Sequence, residues 1–235
     1  MPDPAADESP LARHGASLGR RHAAWLRTSG MSGLLAILVL GVFVVPTVVP
    51  YGTAWRVIID VLMPLVLISG IVAVSEHRKT LVALVVLSVL AIVARWSEWL
   101  LPVALLPEFR DAATLVALAV LAFAVGINVF AAGRPLRDRV FGGIVLYLLL
   151  GVMWAVAYAL VDTITPNAYA GRPENDAGLA DWIYFSFVTL TTVGYGDITP
   201  VTRVARSLAM LEALVGQLYP AIIIARLVSL PGSSS

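Results

Sequence analysis

Apolar residues fall in six long runs along this chain, at roughly 31–49, 56–74, 80–101, 112–132, 139–162 and 203–228. A bilayer core takes about 20 apolar residues per helix. Within lipid the backbone satisfies its own hydrogen bonds, so each run predicts a membrane-spanning helix. Breakers separate the runs: Pro50–Gly52 after the first, Ser75–Lys79 after the second, Pro102 and Pro107 around the link after the third, and Gly133–Pro135 after the fourth.

Composition agrees with the pattern. Of the 235 residues, 59% are hydrophobic and 13% charged, against about 45–50% and about 25% in a soluble domain. Mean hydropathy is +0.88. This excludes a cytosolic enzyme, a nucleic-acid binder and a disordered linker. With no cysteine there are no disulfides, thiolate metal sites or cysteine nucleophiles. His14, His22 and His77 lie in polar stretches and predict no metal site.

Residues 1–30 read as a polar tail with Arg13, Arg20, Arg21 and Arg27. Arg20–Thr28 reads either as a basic surface helix or as a solvated stretch that sets topology. With the N-terminus in the cytoplasm, ten of the 16 Lys and Arg residues lie inside and six at or near the outside, which sets the orientation. Trp55, Trp96 and Trp99 then fall near outer helix ends, as an interfacial belt.

The forty residues 163–202 break the pattern. Thr163–Ala180 is polar, as an outer loop. Asp181–Leu190 is amphipathic and too short to cross a bilayer, which suits a re-entrant half-helix. It leads into Thr191-Thr192-Val193-Gly194-Tyr195-Gly196-Asp197. Non-helical backbone at membrane depth lines a water path or is buried in protein. Glycine takes positive φ freely, so Gly194 and Gly196 let successive carbonyls point to one side. A ring of such carbonyls replaces the hydration shell of K+. One chain supplies one copy, so a fourfold homotetramer is expected.

Thr192–Gly196 with Asp197 resembles the selectivity filter of the tetrameric potassium channel family, and Tyr184–Pro200 resembles its pore helix, filter and exit turn. The resemblance implies ion sites at the carbonyls of Thr192, Val193, Gly194 and Tyr195, with the Thr192 hydroxyl innermost. It implies that Gly196 opens the outer mouth, that Asp197 braces the filter from behind, and that the Tyr195 ring packs on the pore helix. Tyr184 and Val188 stand at filter-support positions. The chain departs from the family there: Tyr184-Phe185 replaces a Trp-Trp pair, Phe185 has no ring donor, and Val188 replaces a glutamate of some bacterial relatives. Asp197 is therefore expected to lack its usual partners.

Gly216 matches the family's gating-hinge glycine, and Pro220 should kink the same helix; the alternative is that both merely ease helix packing. Glu212 is an ionisable group inside a span. Either it bonds a hydroxyl such as Thr189 or Tyr184 and acts structurally, or it reaches cavity water as a cation attractor or pH sensor. Gln217 is a candidate for the cavity wall.

Four spans before a pore module resemble voltage-gated channels, yet Thr114–Ala132 contains no arginine and carries no gating charge. Arg56–Asp60 and Arg95–Glu98 have the spacing of local ion pairs. The Arg134–Arg139 cluster either touches anionic lipid or only sets topology. With few residues after Arg226, no ligand-sensing domain is expected there. The expected molecule is an all-α membrane protein. It comprises a cytoplasmic tail (1–30), a four-helix sensor-like domain without gating charges (31–132), a pore domain (139–228) and a short tail (229–235). It conducts K+ passively across a plasma membrane, both termini cytoplasmic, with no cofactor, no nucleic acid and no enzymatic centre. The alternatives are a weakly selective cation channel, a non-conducting channel-like subunit and a transporter subunit.

Overall fold

Helices account for nearly all of the chain's regular structure. The structure is a computed structural model and describes residues 30–49, 52–73, 78–100, 107–130, 136–172 and 178–228. The elements are α1 (Gly30–Val48), α2 (Thr53–Ala73), α3 (Arg78–Leu100), α4 (Pro107–Phe130) and α5 (Leu136–Ile164). They continue with β1 (Tyr169–Ala170), the short α6 (Leu179–Leu190), β2 (Thr199–Pro200) and α7 (Arg203–Val228). Among the described residues five helices, α1, α2, α4, α5 and α7, are long and apolar enough to cross a membrane. α3 has 23 residues, and its stretch Leu81–Ser97 is also apolar. The tails 1–29 and 229–235, with the basic segment Arg20–Thr28, lie outside the described residues.

Two prolines shape the first helices. Proline has no N–H and its ring collides with the carbonyl four residues back. Before Pro46, α1 widens into a π-helical turn over Leu40–Val44, in which Val45 N–H donates to the Leu40 carbonyl. Insertion of such a turn is a known way to absorb this kind of disturbance. In α2, Pro64 sits mid-helix and leaves the Asp60 carbonyl without its helical donor. The indole N–H of Trp96, from α3, donates to that carbonyl at 3.1 Å. Arg95, one residue earlier, holds the Asp60 carboxylate at 2.7 Å. Asp60 thus joins α2 to α3 through both backbone and side chain.

Several sequence expectations change here. Arg95 pairs across helices with Asp60; the expected Arg95–Glu98 pair lies outside the described residues, which do not include the Glu98 side chain. Trp55 is buried, while Trp96 is exposed and bonds α2 through its indole N–H. The fourth helix begins at Pro107, with Glu108 in its first turn, a placement suited to proline and acid at a helix start. Arg110 is therefore inside α4, beside Asp111 at 3.0 Å. In the basic cluster Arg139 is buried, which removes it from any lipid-headgroup role; Arg137 lies over the Phe141 ring.

One continuous apolar core runs through the bundle, from Leu34 and Leu38 of α1 through Leu118 and Leu121 of α4 to Leu149 and Val152 of α5 and Ile183 of α6. α1 reaches α6 directly, with the Phe43 and Phe187 rings 5.9 Å apart. Replacing Trp96 by Phe should destabilise the α2–α3 pair by about 1–3 kcal/mol, because the Asp60 carbonyl is then left unpaired. Thermal unfolding of the purified protein in detergent measures this.

Candidate functional site

α6 is a 12-residue helix that ends at Leu190. The chain then folds back beneath its own helix end. Thr191 N–H donates to the Phe187 carbonyl at 3.0 Å and Thr192 N–H to Thr189 at 2.9 Å. Val193 and Gly194 both donate to the Val188 carbonyl, at 3.0 and 3.3 Å. The Thr191 hydroxyl adds a bond to the Phe187 carbonyl at 2.6 Å. The last carbonyls of a helix need partners from outside it, and here the following loop supplies them. Val188 supports the loop through its carbonyl, which any residue type would offer.

The loop itself has an alternating backbone. Thr192 (φ 60°), Gly194 (φ 58°) and Gly196 (φ 79°) are left-handed, while Val193 and Tyr195 between them are not. Glycine accommodates this at little cost, whereas a β-branched residue at positive φ is strained. Thr192 is the member of the series that the glycine spacing did not reveal. Every residue from Thr191 to Asp197 is exposed in the single chain. Val193 is 54% and Tyr195 72% exposed.

Asp197 has a partner after all. The Tyr184 hydroxyl donates to its carboxylate at 2.6 Å. The second aromatic of the pair, Phe185, has no donor; the first one, Tyr184, faces the loop and carries an O–H instead. This bond, with help from the backbone amides of Ile198 and Asp197, holds the Asp197 carboxyl below the ordinary carboxylate range. It raises the Tyr184 hydroxyl to about 12.

The frame around the loop is built from short ties. β1 pairs antiparallel with β2, Tyr169 opposite Pro200 and Ala170 opposite Thr199, and Val201 N–H donates to the Ala168 carbonyl at 2.8 Å. Arg172 pairs with Asp162 at 2.5 Å and covers the Trp182 ring at 5.2 Å. Tyr158, Tyr169, Trp182 and Phe185 form an aromatic cluster beneath these strands, with neighbouring centroids 4.7 to 6.5 Å apart.

α7 packs on the end of α6. A Cβ on Gly216 would overlap the Leu190 carbonyl group, so glycine at this position permits the helix crossing. α7 runs without interruption through Gly216 and Pro220. Gly216 is buried, while Pro220 and Gln217 are exposed. Glu212 is fully buried. It meets Ser186 of α6 at 2.5 Å and the Tyr158 hydroxyl of α5, and not Thr189 or Tyr184 as expected. Ser186 carried no sequence signal of this role, since a lone serine in a short helix has no periodicity to mark it. Tyr219, one turn past Gly216, donates its hydroxyl to the Gly143 carbonyl of α5 at 2.6 Å.

The family described as "Ion channel" matches residues 140–231, which contain α5 beyond its first turn, α6, the loop and α7. Protein LctB of Bacillus caldotenax is 34% identical over 107 residues, 43% of this chain and 79% of that protein. The inward rectifier potassium channel Kirbac3.1 of Paramagnetospirillum magnetotacticum is 36% identical over 73 residues, 31% of this chain and 23% of the relative. Two pore potassium channel c of Oryza sativa subsp. japonica is 37% identical over 83 residues, 35% of this chain and 17% of the relative. This chain belongs to the potassium channel family. The channel spans less than a quarter of either named potassium channel's length. No solved structure matches it. Among the described residues no group of three or more His, Cys, Asp or Glu side chains is placed to hold a metal ion.

Two outcomes are expected from these contacts. A carboxyl whose folded pKa is depressed contributes stability above its unfolded pKa and loses it as pH falls through the folded value. Tyr184→Phe removes the principal cause of the depression at Asp197, so the variant should have the lower thermal midpoint at neutral pH and a shallower fall of that midpoint with acid, the two proteins converging once Asp197 is protonated in both. Gly216→Ala meets backbone, which cannot move aside as a side-chain tip can. It should destabilise the α6–α7 contact by about 1–3 kcal/mol, the usual range for overpacking, in the same unfolding assay.

Proposed function

We propose that the chain is one subunit of a homotetrameric, potassium-selective channel that conducts K+ passively. The observation that carries this is the alternating left-handed backbone at Thr192, Gly194 and Gly196 in a loop exposed on the single chain. Alternating backbone hands turn successive carbonyls toward one side, and carbonyl rings take the place of water around K+. In this reading Thr192, Val193, Gly194 and Tyr195 hold the ion, Gly196 forms the outer mouth, and α6 is the pore helix. Four copies close the ring, and the exposed Val193 and Tyr195 side chains meet neighbouring subunits. The printed names of two relatives, an inward rectifier and a two-pore potassium channel, support the choice of ion.

The proposed layout has six spans, α1 to α5 and α7. Residues 31–132 form the sensor-like part and 139–228 the pore. The chain sits in a plasma membrane with cytoplasmic termini. Gly216 and Pro220 are the place where α7 bends, and Gln217 faces the cavity. Voltage dependence should be weak. Moving one charge through the field is worth about 2.3 kcal/mol per 100 mV, and the length of α4 beyond Asp111 carries no Lys or Arg.

The purified full chain in liposomes should take up rubidium and potassium and exclude sodium. Gly194→Ala, which forces a Cβ onto a residue at φ 58°, should reduce uptake to background. Equal sodium and potassium uptake would replace this reading with a weakly selective cation channel. No uptake from an intact tetramer would leave a non-conducting subunit. A gating current of several charges per subunit would refute the absence of a voltage sensor.

A further inference from the structure

Ser186 stands between two acceptors. Its Oγ lies 2.7 Å from the Gly151 carbonyl of α5 and 2.5 Å from Glu212 Oε1 of α7. The other carboxyl oxygen, Oε2, is bonded to the Tyr158 hydroxyl. These contacts make three oxygen–oxygen hydrogen bonds, and each needs its own proton. A hydroxyl brings one proton and a carbonyl none. Tyr158 supplies the bond to Oε2 and Ser186 the bond to Gly151. The remaining proton, between Glu212 and Ser186, belongs to the carboxyl group.

We propose that Glu212 is a proton-binding site. In the conformation described it is a neutral carboxylic acid, donating from Oε1 to Ser186 and accepting from Tyr158 at Oε2. The surroundings agree. The side chain is fully buried, and a buried carboxylate without a cation is costly. The titratable groups that face it are Tyr147 and Tyr158 from α5 and Tyr169 from β1. α6 presents Ser186, and no Lys or Arg among the described residues pairs with Glu212.

The proton decides how α6 is held. With Glu212 protonated, Ser186 ties α6 to the Gly151 carbonyl and receives a bond from α7. When the proton leaves to bulk water, the carboxylate has only acceptors to offer, and the Ser186 O–H turns to it. The tie to Gly151 is then lost. Gly151 is also where the Phe187 ring of α6 lies flush on α5, since a Cβ there would collide with that ring. α6 carries the Thr191–Asp197 loop at its end, and Gly216, one turn along α7 from Glu212, abuts Leu190. Proton occupancy thus selects between two arrangements of one element, the general form of a local switch. The link to conduction rests on the channel reading above; the proton site itself does not.

The test uses the full chain in liposomes, with both faces brought together from neutral to alkaline pH. Rubidium uptake by the parent should fall severalfold across the titration. Uptake by Glu212→Gln, which keeps one donor and one acceptor, should be independent of pH. Infrared spectra at neutral pH, on protein with isotope-labelled glutamate, should show a buried carboxylic acid C=O band in the parent. Glu212→Gln should lack that band and Ser186→Ala should shift it. The proposal is overturned by a Glu212→Gln profile that titrates like the parent, by parent uptake that does not change with pH, or by a spectrum with no such band. Should Glu212→Gln fail to fold, the parent and Ser186→Ala spectra decide. A parent that conducts nothing would defeat the channel reading while leaving the infrared test of the proton site intact.

Discussion

In hydrocarbon an open carbonyl has no water to turn to, and this constraint governs the molecule from its first helix to its last. Where Pro46 disturbs α1, the backbone widens into a π turn and pairs again. Where Pro64 opens the Asp60 carbonyl, the indole of Trp96 donates to it. Where α6 ends, the loop that follows turns back, and four of its amides bond the carbonyls of Phe187, Val188 and Thr189. The Thr191–Asp197 loop is thus built from the same requirement that shapes the bundle. A short helix cannot end at membrane depth unless the next segment satisfies its end, and a loop committed to that task has few conformations left.

Contacts from three directions hold that short helix. α1 touches it through Phe43 and Phe187. α5 receives it at Gly151, where the absence of a side chain admits the Phe187 ring and where Ser186 bonds the carbonyl. α7 meets its end at Gly216 and Leu190 and its middle at Glu212 and Ser186. The outer loop is fastened by β1, β2 and Arg172 to the same aromatic cluster on which α6 rests. Movement of α7 is therefore felt at the loop through two contacts one helical turn apart.

Much of this was legible along the chain. The apolar runs located the helices, because a lipid-facing surface has to be apolar over its whole length. The alternation of Gly194 and Gly196 marked the loop, because few residues tolerate positive φ. Glu212 was marked as unusual, because a charge in an apolar run needs a reason. What stayed hidden were the partners. Tyr184 reaches Asp197, Arg95 reaches Asp60 and Ser186 reaches Glu212 across distances in sequence of 13, 35 and 26 residues. Local spacing carries no information about such pairs. The start of α4 was also misplaced, since Arg110 and Asp111 interrupt the apolar run without interrupting the helix.

The sequence by itself determined the solvent, the helical class and the chemistry of the loop. Those follow from composition and from the few residues able to adopt the required backbone. The tertiary structure alone decided which helix faces which, that Thr192 joins the two glycines in a left-handed conformation, and that Gly216 serves a close crossing. It also decided that Ser186 lies between Glu212 and Gly151. The physical reason is the same in each case. These features depend on two segments meeting in space, and the free energy that brings them together belongs to the packed bundle and to no segment of it.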